Sequence, residues 1–291
     1  MSGPFPSLSC VLLTMGDRPA ELARAVASVQ AQDGDPVEVV VVGNGAAEFV
    51  TPDGVRVVAL PENVGIPAGR NAGVEASTGD VVLFVDDDGW LADTGTAERL
   101  RAAFGADPHL GIVSFRIVDP VGGRTERRHV PRLRAGDPER SSDVTTFLGG
   151  ACAIRREVFE RCGLLPGDFF YAHEETDLAW RALDAGYRIR YAAQEVLHHP
   201  AGAASARHES FYFHNARNRV WLARRRLPWP LAVAYLLTWA ALTVARERRP
   251  AALVAWLRGL GAGLRHGGSD RQPMSWRTAL RMAALGRPPL V

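Results

Sequence analysis

Three consecutive carboxylates, Asp86-Asp87-Asp88, follow the apolar run 80–85. Adjacent carboxylates repel one another, and a divalent cation relieves that cost. Hard oxygen ligands with room left for phosphate oxygens suit Mg²⁺ or Mn²⁺. The plainer alternative is a solvated acidic turn. A second acidic group, Glu174-Glu175-Thr176-Asp177, opens a helical pattern. Acids at a helix start are stabilised by the dipole. Three in four residues exceed what capping needs, and one of them can take a proton from an attacking hydroxyl. Asp177 and Arg181 stand four apart, the spacing of a helix ion pair. His198-His199 close a short strand pattern before Pro200. Neutral imidazole ligates metals or donates to phosphate, although paired histidines are often structural. The glycine-rich run 63–73, NVGIPAGRNAG, permits close backbone approach, and its Arg70 can reach a phosphate or brace a carboxylate. It lacks the G-x-G-x-x-G spacing, which argues against a dinucleotide-binding dehydrogenase.

The elements that must hold these residues alternate over the first hundred positions. Apolar strand patterns occupy 8–14, 37–42, 55–60 and 80–85, and helical periodicity occupies 21–32 and 68–77. This alternation predicts βαβ units and a mainly parallel sheet, with ligands outside the carboxyl ends of the strands. The acid triplet stands at such an end. Further on, 110–118 reads as a strand and the Arg-rich 119–142 as a long loop or irregular hairpin. Segments 155–162 and 175–185 read as helices, and 187–192 and 195–197 as short strands. From 206 the pattern is helical throughout: 206–227, 229–248, 251–266 and a basic amphipathic stretch at 276–285. We therefore divide the chain into a catalytic unit, 1–205, and a helical extension, 206–291.

The chain has 291 residues with ordinary globular composition. All 34 basic residues are Arg, which excludes mechanisms that need a lysine, such as Schiff bases and the P-loop. Cys10, Cys152 and Cys162 are scattered and suit neither a disulfide framework nor a zinc site. The N-terminus carries no signal-peptide pattern, and a cytoplasmic location is expected. Charge is asymmetric: residues 1–200 hold 19 Arg and 29 acids, residues 201–291 hold 15 Arg and 3 acids. A basic tail on an acidic body predicts an anionic contact, such as a membrane surface. The uncharged stretch 231–245 is shorter than the roughly 20 residues of a spanning helix. Its Trp and Arg flanks suit an interfacial helix, and a packed helical hairpin is the alternative. No fold signal accompanies the tail that would indicate nucleic acid.

Taken in order, Thr14…Arg18, VVVVGNG at 39–45, NVGIPAGRNAG at 63–73, FVDDD at 84–88, FLGGACAIRREVFERCG at 147–163, FFYAHEETDLAWRALDAGYRI at 169–189 and VLHH at 196–199 resemble a family 2 glycosyltransferase. The likeness covers about residues 7–225 and is nearest to the bacterial rhamnosyltransferase- and galactofuranosyltransferase-like branch. The resemblance implies an α/β GT-A fold and a nucleotide-diphospho-sugar donor. It implies that Asp86 and Asp88, with His198, hold the metal, and that Asp87 belongs to the same donor motif. Glu175 would be the base, with Glu174 or Asp177 as substitutes. Thr14, Arg18, Asn44, Asn63, Arg70 and Asn71 would fall in donor-binding segments, and Gly149 and Gly150 would line the sugar site. The acceptor would be a saccharide, a lipid-linked saccharide or a natural product, and the helical extension would lie beside it or on the membrane.

Two positions depart from the family pattern. Gly43 stands where the family commonly has the Asp of V-D-N-G-S, which contacts a uracil-type base, so the nucleotide is left open. Glu175 replaces Asp and lengthens the base by one methylene, a displacement of about 1 Å that affects rate. The implied chemistry is a single displacement with inversion, the acceptor hydroxyl needing a base because it is a poor nucleophile at neutral pH. A haloacid-dehalogenase-type phosphatase also fits VLFVDDDG, but it places that motif on its first strand and uses a lysine. A sugar nucleotidyltransferase lacks its Gly-rich loop and lysine here. A degenerate, purely binding transferase is the remaining alternative.

Overall fold

The computed structural model describes residues 5–46, 48–134, 136–200, 209–266 and 271–290. Strands β1 (Leu8–Thr14), β2 (Glu38–Asn44), β3 (Arg56–Leu60) and β4 (Val81–Asp86) pair in parallel in the order β3-β2-β1-β4. Helices α1 (Pro19–Gln30) and α2 (Ile66–Ala76) connect them on opposite faces. The central strands are apolar on both sides because both sides are covered. Val11, Val40, Val42, Val82 and Phe84 enter one core, while Cys10, Leu12, Val39, Val41, Leu83 and Val85 enter the other. This is the two-residue alternation of a strand.

Beyond β4 the sheet becomes mixed. β5 (Trp90–Leu91) and α3 (Thr96–Ala106) precede β6 (Leu110–Val118), and β7 (Ser142–Asp143) precedes β8 (Ala151–Arg155). Strand β8 lies between β4 and β6, antiparallel to both, and β9 (Arg188–His198) runs parallel to β6. The parallel character expected from the sequence therefore holds without interruption from β3 to β4, and beyond it only the β6–β9 pair is parallel. The two strands expected at 187–192 and 195–197 are one strand. The apparent break is an irregularity in register: Phe115 faces Ala192 while Arg116 faces Val196. Glu195, within that bulge, is buried and accepts from the Arg99 guanidinium at 2.9–3.0 Å.

Helices α4 (Arg156–Cys162) and α5 (Glu174–Asp184) follow β8. The extension supplies α6, described from Glu209 to Arg226, then α7 (Trp229–Arg246), α8 (Pro250–Arg265) and α9 (Trp276–Ala284). Trp221, Leu222, Leu227, Tyr235 and Met282 join the same core as Phe84 and Ile154, so the extension is packed on the sheet face. Among the described residues, α7 alone is long and apolar enough to cross a membrane, with mean hydropathy 1.2 and little of it buried.

Candidate active site

Register brings the carboxyl ends of the parallel strands together. Thr14 pairs with Gly43, and Leu13 with Asp86. A cleft of about 460 Å³ opens there, lined by Thr14, Arg18, Asn44, Asn63, Arg70, Asp86, Asp87, Asp88 and His199, among others. Arg18 meets Asp87 at 3.1 Å and also pairs with Asp88, while Arg70 meets Asp86 at 3.1 Å. His199 Nε2 lies 3.0 Å from Asp88 Oδ1. The hydrogen bond to His199 helps hold the Asp88 carboxyl below the usual range and raises the imidazole in return. Burial pushes Asp87 the other way.

Asp86, Asp88 and His199 offer ligand atoms that all lie within 4.8 Å of one another. Two carboxylates and an imidazole form a donor set that fits Mn²⁺ and, less readily because of the nitrogen, Mg²⁺. The histidine that reaches this cluster is His199, not His198 as expected. His198 is the last residue of β9, opposite Trp90, and its ring packs against that indole at 5.5 Å. Strand alternation turns successive side chains to opposite faces, so only one of the pair can reach the acids.

Asn44 and Asn63 shape the cleft. Asn44 Oδ1 accepts from Val64 N–H at 2.9 Å, its amide donates to Asn63 Oδ1 at 3.1 Å, and Asn63 Oδ1 accepts from Gly65 N–H at 2.9 Å. Asn71 is a correction. It exchanges hydrogen bonds with the backbone of Leu165 at 2.8 and 3.0 Å and does not line the donor cleft. The reason for Gly43 is also visible. A Cβ there would stand 2.3 Å from the Phe49 ring, which fills the space an acidic side chain would need.

A second cavity of about 790 Å³ adjoins the first and shares Ile66, Arg70, Asp86 and Tyr171 with it. Gly149, Gly150, Glu174 and Glu175 line it. Asp86 N–H donates to Gly150 O at 3.1 Å, and a Cβ on Gly150 would fall within about 2 Å of the Asp86 carboxylate. A Cβ on Gly149 would lie 2.3 Å from Glu175 Oε1. Only glycine leaves room for both acids. Burial raises the carboxyls of Glu174 and Glu175, and their mutual repulsion adds to this for Glu174. Arg70 stays firmly charged: burial alone would lower it, but Asp86, Glu175 and Glu174 outweigh that cost. Glu174 is deeply buried, with Oε2 lacking a hydrogen-bond partner among the described residues, whereas Glu175 is partly exposed in the cavity.

Asp177 also departs from its expected role. It is fully buried and bonded to Arg181 at 2.7 Å and Arg226 at 2.6 Å, so it ties α5 to α6 and does not face the cavity.

The segment before α5 was opaque in the sequence. Phe170, Ala172 and His173 all have φ between 62° and 73°, unusual for residues with a side chain. Asn218 on α6, fully buried, donates to the carbonyls of Phe169, Tyr171 and Ala172 at 2.7–2.9 Å and holds that strained path. Phe170, which it positions, stacks on His214 at 5.4 Å, and both line the first cleft. Aromatics beside the sequence FFY were the available signal. Nothing in the sequence pairs them with Asn218.

A model of glycosyl transferase family 2 matches residues 10–163, more than half of the chain. The pre-mycofactocin glycosyltransferase of Mycobacterium tuberculosis is 29% identical over 289 residues, 90% of this chain and 55% of that protein. The chain thus spans about half the length of that relative. The glycosyltransferase AglE of Haloferax volcanii is 28% identical over 214 residues, 68% of this chain and 67% of that protein. Among solved structures, S. aureus TarS 1–349 superposes with TM-score 0.60 at 17% identity, over 89% of this chain and 80% of that one. The mannosyltransferase PcManGT of Pyrobaculum calidifontis, solved with GDP-Man and Mn²⁺, gives TM-score 0.55 at 19% identity, over 97% and 84%. The shared architecture is the GT-A fold.

Proposed function

The chain belongs to glycosyl transferase family 2, and from that premise we propose that it transfers a sugar, with inversion, from a nucleotide-diphospho-sugar to an acceptor hydroxyl. The observation that carries this reading is the junction of two cavities at Asp86 and Arg70, one bearing the acid triplet and the other Glu174 and Glu175. The first would take the donor and the second the acceptor. In this reading residues 1–205 are the catalytic unit and 206–291 the extension, of which Trp239, Leu242, Arg246 and Arg287 wall the acceptor side.

Asp86, Asp88 and His199 would hold a divalent cation, which when bound neutralises negative charge on the leaving diphosphate. PcManGT, solved with GDP-Man and Mn²⁺, supports the choice of donor class and metal. Arg70 is fixed between the two cavities and adds positive charge where the diphosphate departs. Glu175 is the base. Its carboxylate accepts the acceptor's proton as the acceptor oxygen bonds to the anomeric carbon, and the bond from that carbon to the diphosphate oxygen breaks on the opposite face. Glu174, buried and facing Arg70 at 4.0 Å, keeps its neighbour's electrostatics in place. Exposed Trp229, Leu237 and Val244 on α7 and Leu257 and Leu264 on α8, with Arg248 and Arg249 between the helices, suit peripheral contact with the cytosolic face of a membrane.

The test is thermal stabilisation by UDP, dTDP, GDP, CDP and ADP, with Mn²⁺ and again with EDTA. One nucleotide is expected to raise the melting temperature only with Mn²⁺, and Asp88→Ala should abolish the rise. No rise with any of the five would overturn the donor assignment.

A further inference from the structure

The segment between β6 and β7 brings a histidine to the place where the two cavities meet. His129 ends a turn of 3-10 helix, Arg127–His129. Its ring lies 6.3 Å from the His199 ring, edge to face at 65°. His199 lines the first cavity and meets Asp88, whereas His129 lines the second together with Asp86, Gly150 and Glu175. Outside its own segment, His129 feels the charges of His199 and Asp86. It therefore stands beside the acid triplet, but on the side where Glu175 waits.

The backbone that carries His129 is pinned. Arg127 donates to the carbonyls of Val130, Arg132 and Leu133 at 2.5–3.3 Å. Arg132 donates to Asp137 O at 2.7 Å and lies 5.3 Å over the Tyr191 ring. Val130 is buried, and His129 N–H donates to Glu126 O at 2.9 Å. The His129 ring, by contrast, has no hydrogen-bond partner among the described residues. A polar side chain that is held in place and still uncommitted can meet a ligand with little further ordering.

The other polar groups near the junction are already engaged. Asp86 and Arg70 pair at 3.1 Å, and Glu174 is buried facing Arg70. Arg127 and Arg132 are spent on backbone carbonyls. Gly149 and Gly150 offer space without side-chain hydrogen bonds. A sugar lying between the acid triplet and Glu175 carries several hydroxyls, and each one taken out of water needs a partner.

We propose that His129 contacts the sugar being transferred and helps decide which sugar the site accepts. The proposal rests on the reading of the two cavities as donor and acceptor sites. Imidazole carries at least one N–H in every tautomer, so it can donate to a sugar oxygen. Its place in the second cavity, not the first, favours the sugar over the diphosphate. Its contact with His199 favours the transferred sugar over the acceptor.

The experiment is calorimetric titration of the full chain in Mn²⁺ with UDP, dTDP and GDP, and with UDP-glucose, UDP-galactose, UDP-N-acetylglucosamine, dTDP-rhamnose and GDP-mannose. His129→Ala should weaken the tightest sugar nucleotide by about three- to tenfold, the contribution of one hydrogen bond. Affinity for the matching nucleoside diphosphate should stay unchanged. His129→Leu keeps much of the volume, guards against collapse of the segment and should give the same loss at an unchanged melting temperature. His129→Gln keeps a donor and should recover part of it. An equal fall in nucleoside diphosphate affinity would mean that His129 acts through His199 on the acid triplet. Equal binding of the tightest sugar nucleotide by parent, Ala and Leu variants would mean that the ring touches no sugar. Either result overturns the proposal, as does binding of a nucleoside diphosphate with no sugar nucleotide bound at all. Nucleoside diphosphate binding retained by the parent separates these failures from failure of the donor assignment, in which none of the ligands binds.

Discussion

Around the donor cleft, acids and cations come in partners. Asp86 has Arg70, Asp87 has Arg18, and Asp88 has both Arg18 and His199. The backbone that carries them is regular strand and helix, with positive φ on glycines such as Gly45 and Gly65. Around the acceptor cavity the opposite holds. Two adjacent glutamates share one arginine, Glu174 Oε2 and His173 Nε2 are buried with no hydrogen-bond partner among the described residues, and two residues with side chains, Ala172 and His173, adopt positive φ. A site that binds a preformed anion can be balanced in advance. A site that must take up a proton keeps a carboxylate in surroundings that make it basic, and the fold sustains that cost elsewhere, here through Asn218.

The largest effect expected from breaking this contrast is at Glu175. Glu175→Gln removes the proton acceptor from the acceptor side and leaves the donor side intact. Turnover should fall by about 10²–10⁴-fold, the usual worth of a general base, with metal-dependent nucleotide binding retained. Sugar transfer measured beside nucleotide affinity separates the two. Full activity in Glu175→Gln would assign the base to Glu174.

The donor side is broken differently, by overfilling it. Gly43→Asp restores the residue the family commonly carries, yet Phe49 already occupies the space. The substitution should destabilise the fold by about 1–3 kcal/mol, as overpacking does, and should not create uridine selectivity. Adding Phe49→Ala should recover part of the loss. Denaturant unfolding of the single and double variants checks this. An undiminished midpoint for Gly43→Asp would mean that Phe49 yields freely.

The same contrast governs how much was legible in the sequence. The parallel half announced itself, since the apolar run at 8–14, the β-branched run at 37–42 and the triplet at 86–88 reflect strands buried on both faces with an end left open. Strand β8, ACAIR, was missed. Alanine and cysteine carry little strand preference, and that segment is held by neighbours on both sides. Helix α3 was missed although Ala97, Leu100 and Phe104 do share its buried face. Site residues legible by type were placed by local geometry. The phase of β9 decides between His198 and His199, and the second and third acids at 174–177, Glu175 and Asp177, turn out to serve different ends because α6 supplies Arg226 to Asp177. Such partners lie 49 residues apart in the chain, and no local pattern reports them.

The smallest effect, and the one that most directly probes the unmatched acid, is at Glu174. Burial, with Glu175 beside it, raises its pKa in the folded chain above the ordinary carboxylate value. The folded state therefore binds this proton more tightly than the unfolded state does. Below the unfolded pKa both states are protonated and the group costs nothing. As pH rises from there through the folded pKa, the unfolded state loses its proton first and stability falls. Glu174→Gln removes that dependence. The variant should match the parent near pH 4 and exceed it progressively toward pH 8, by an amount on the order of 1 kcal/mol. Unfolding midpoints across that range, taken in EDTA, measure it. A difference that is flat with pH would mean that Arg70, at 4.0 Å, already holds Glu174 ionised, and the charge imbalance of the acceptor side would then rest on Glu175 alone.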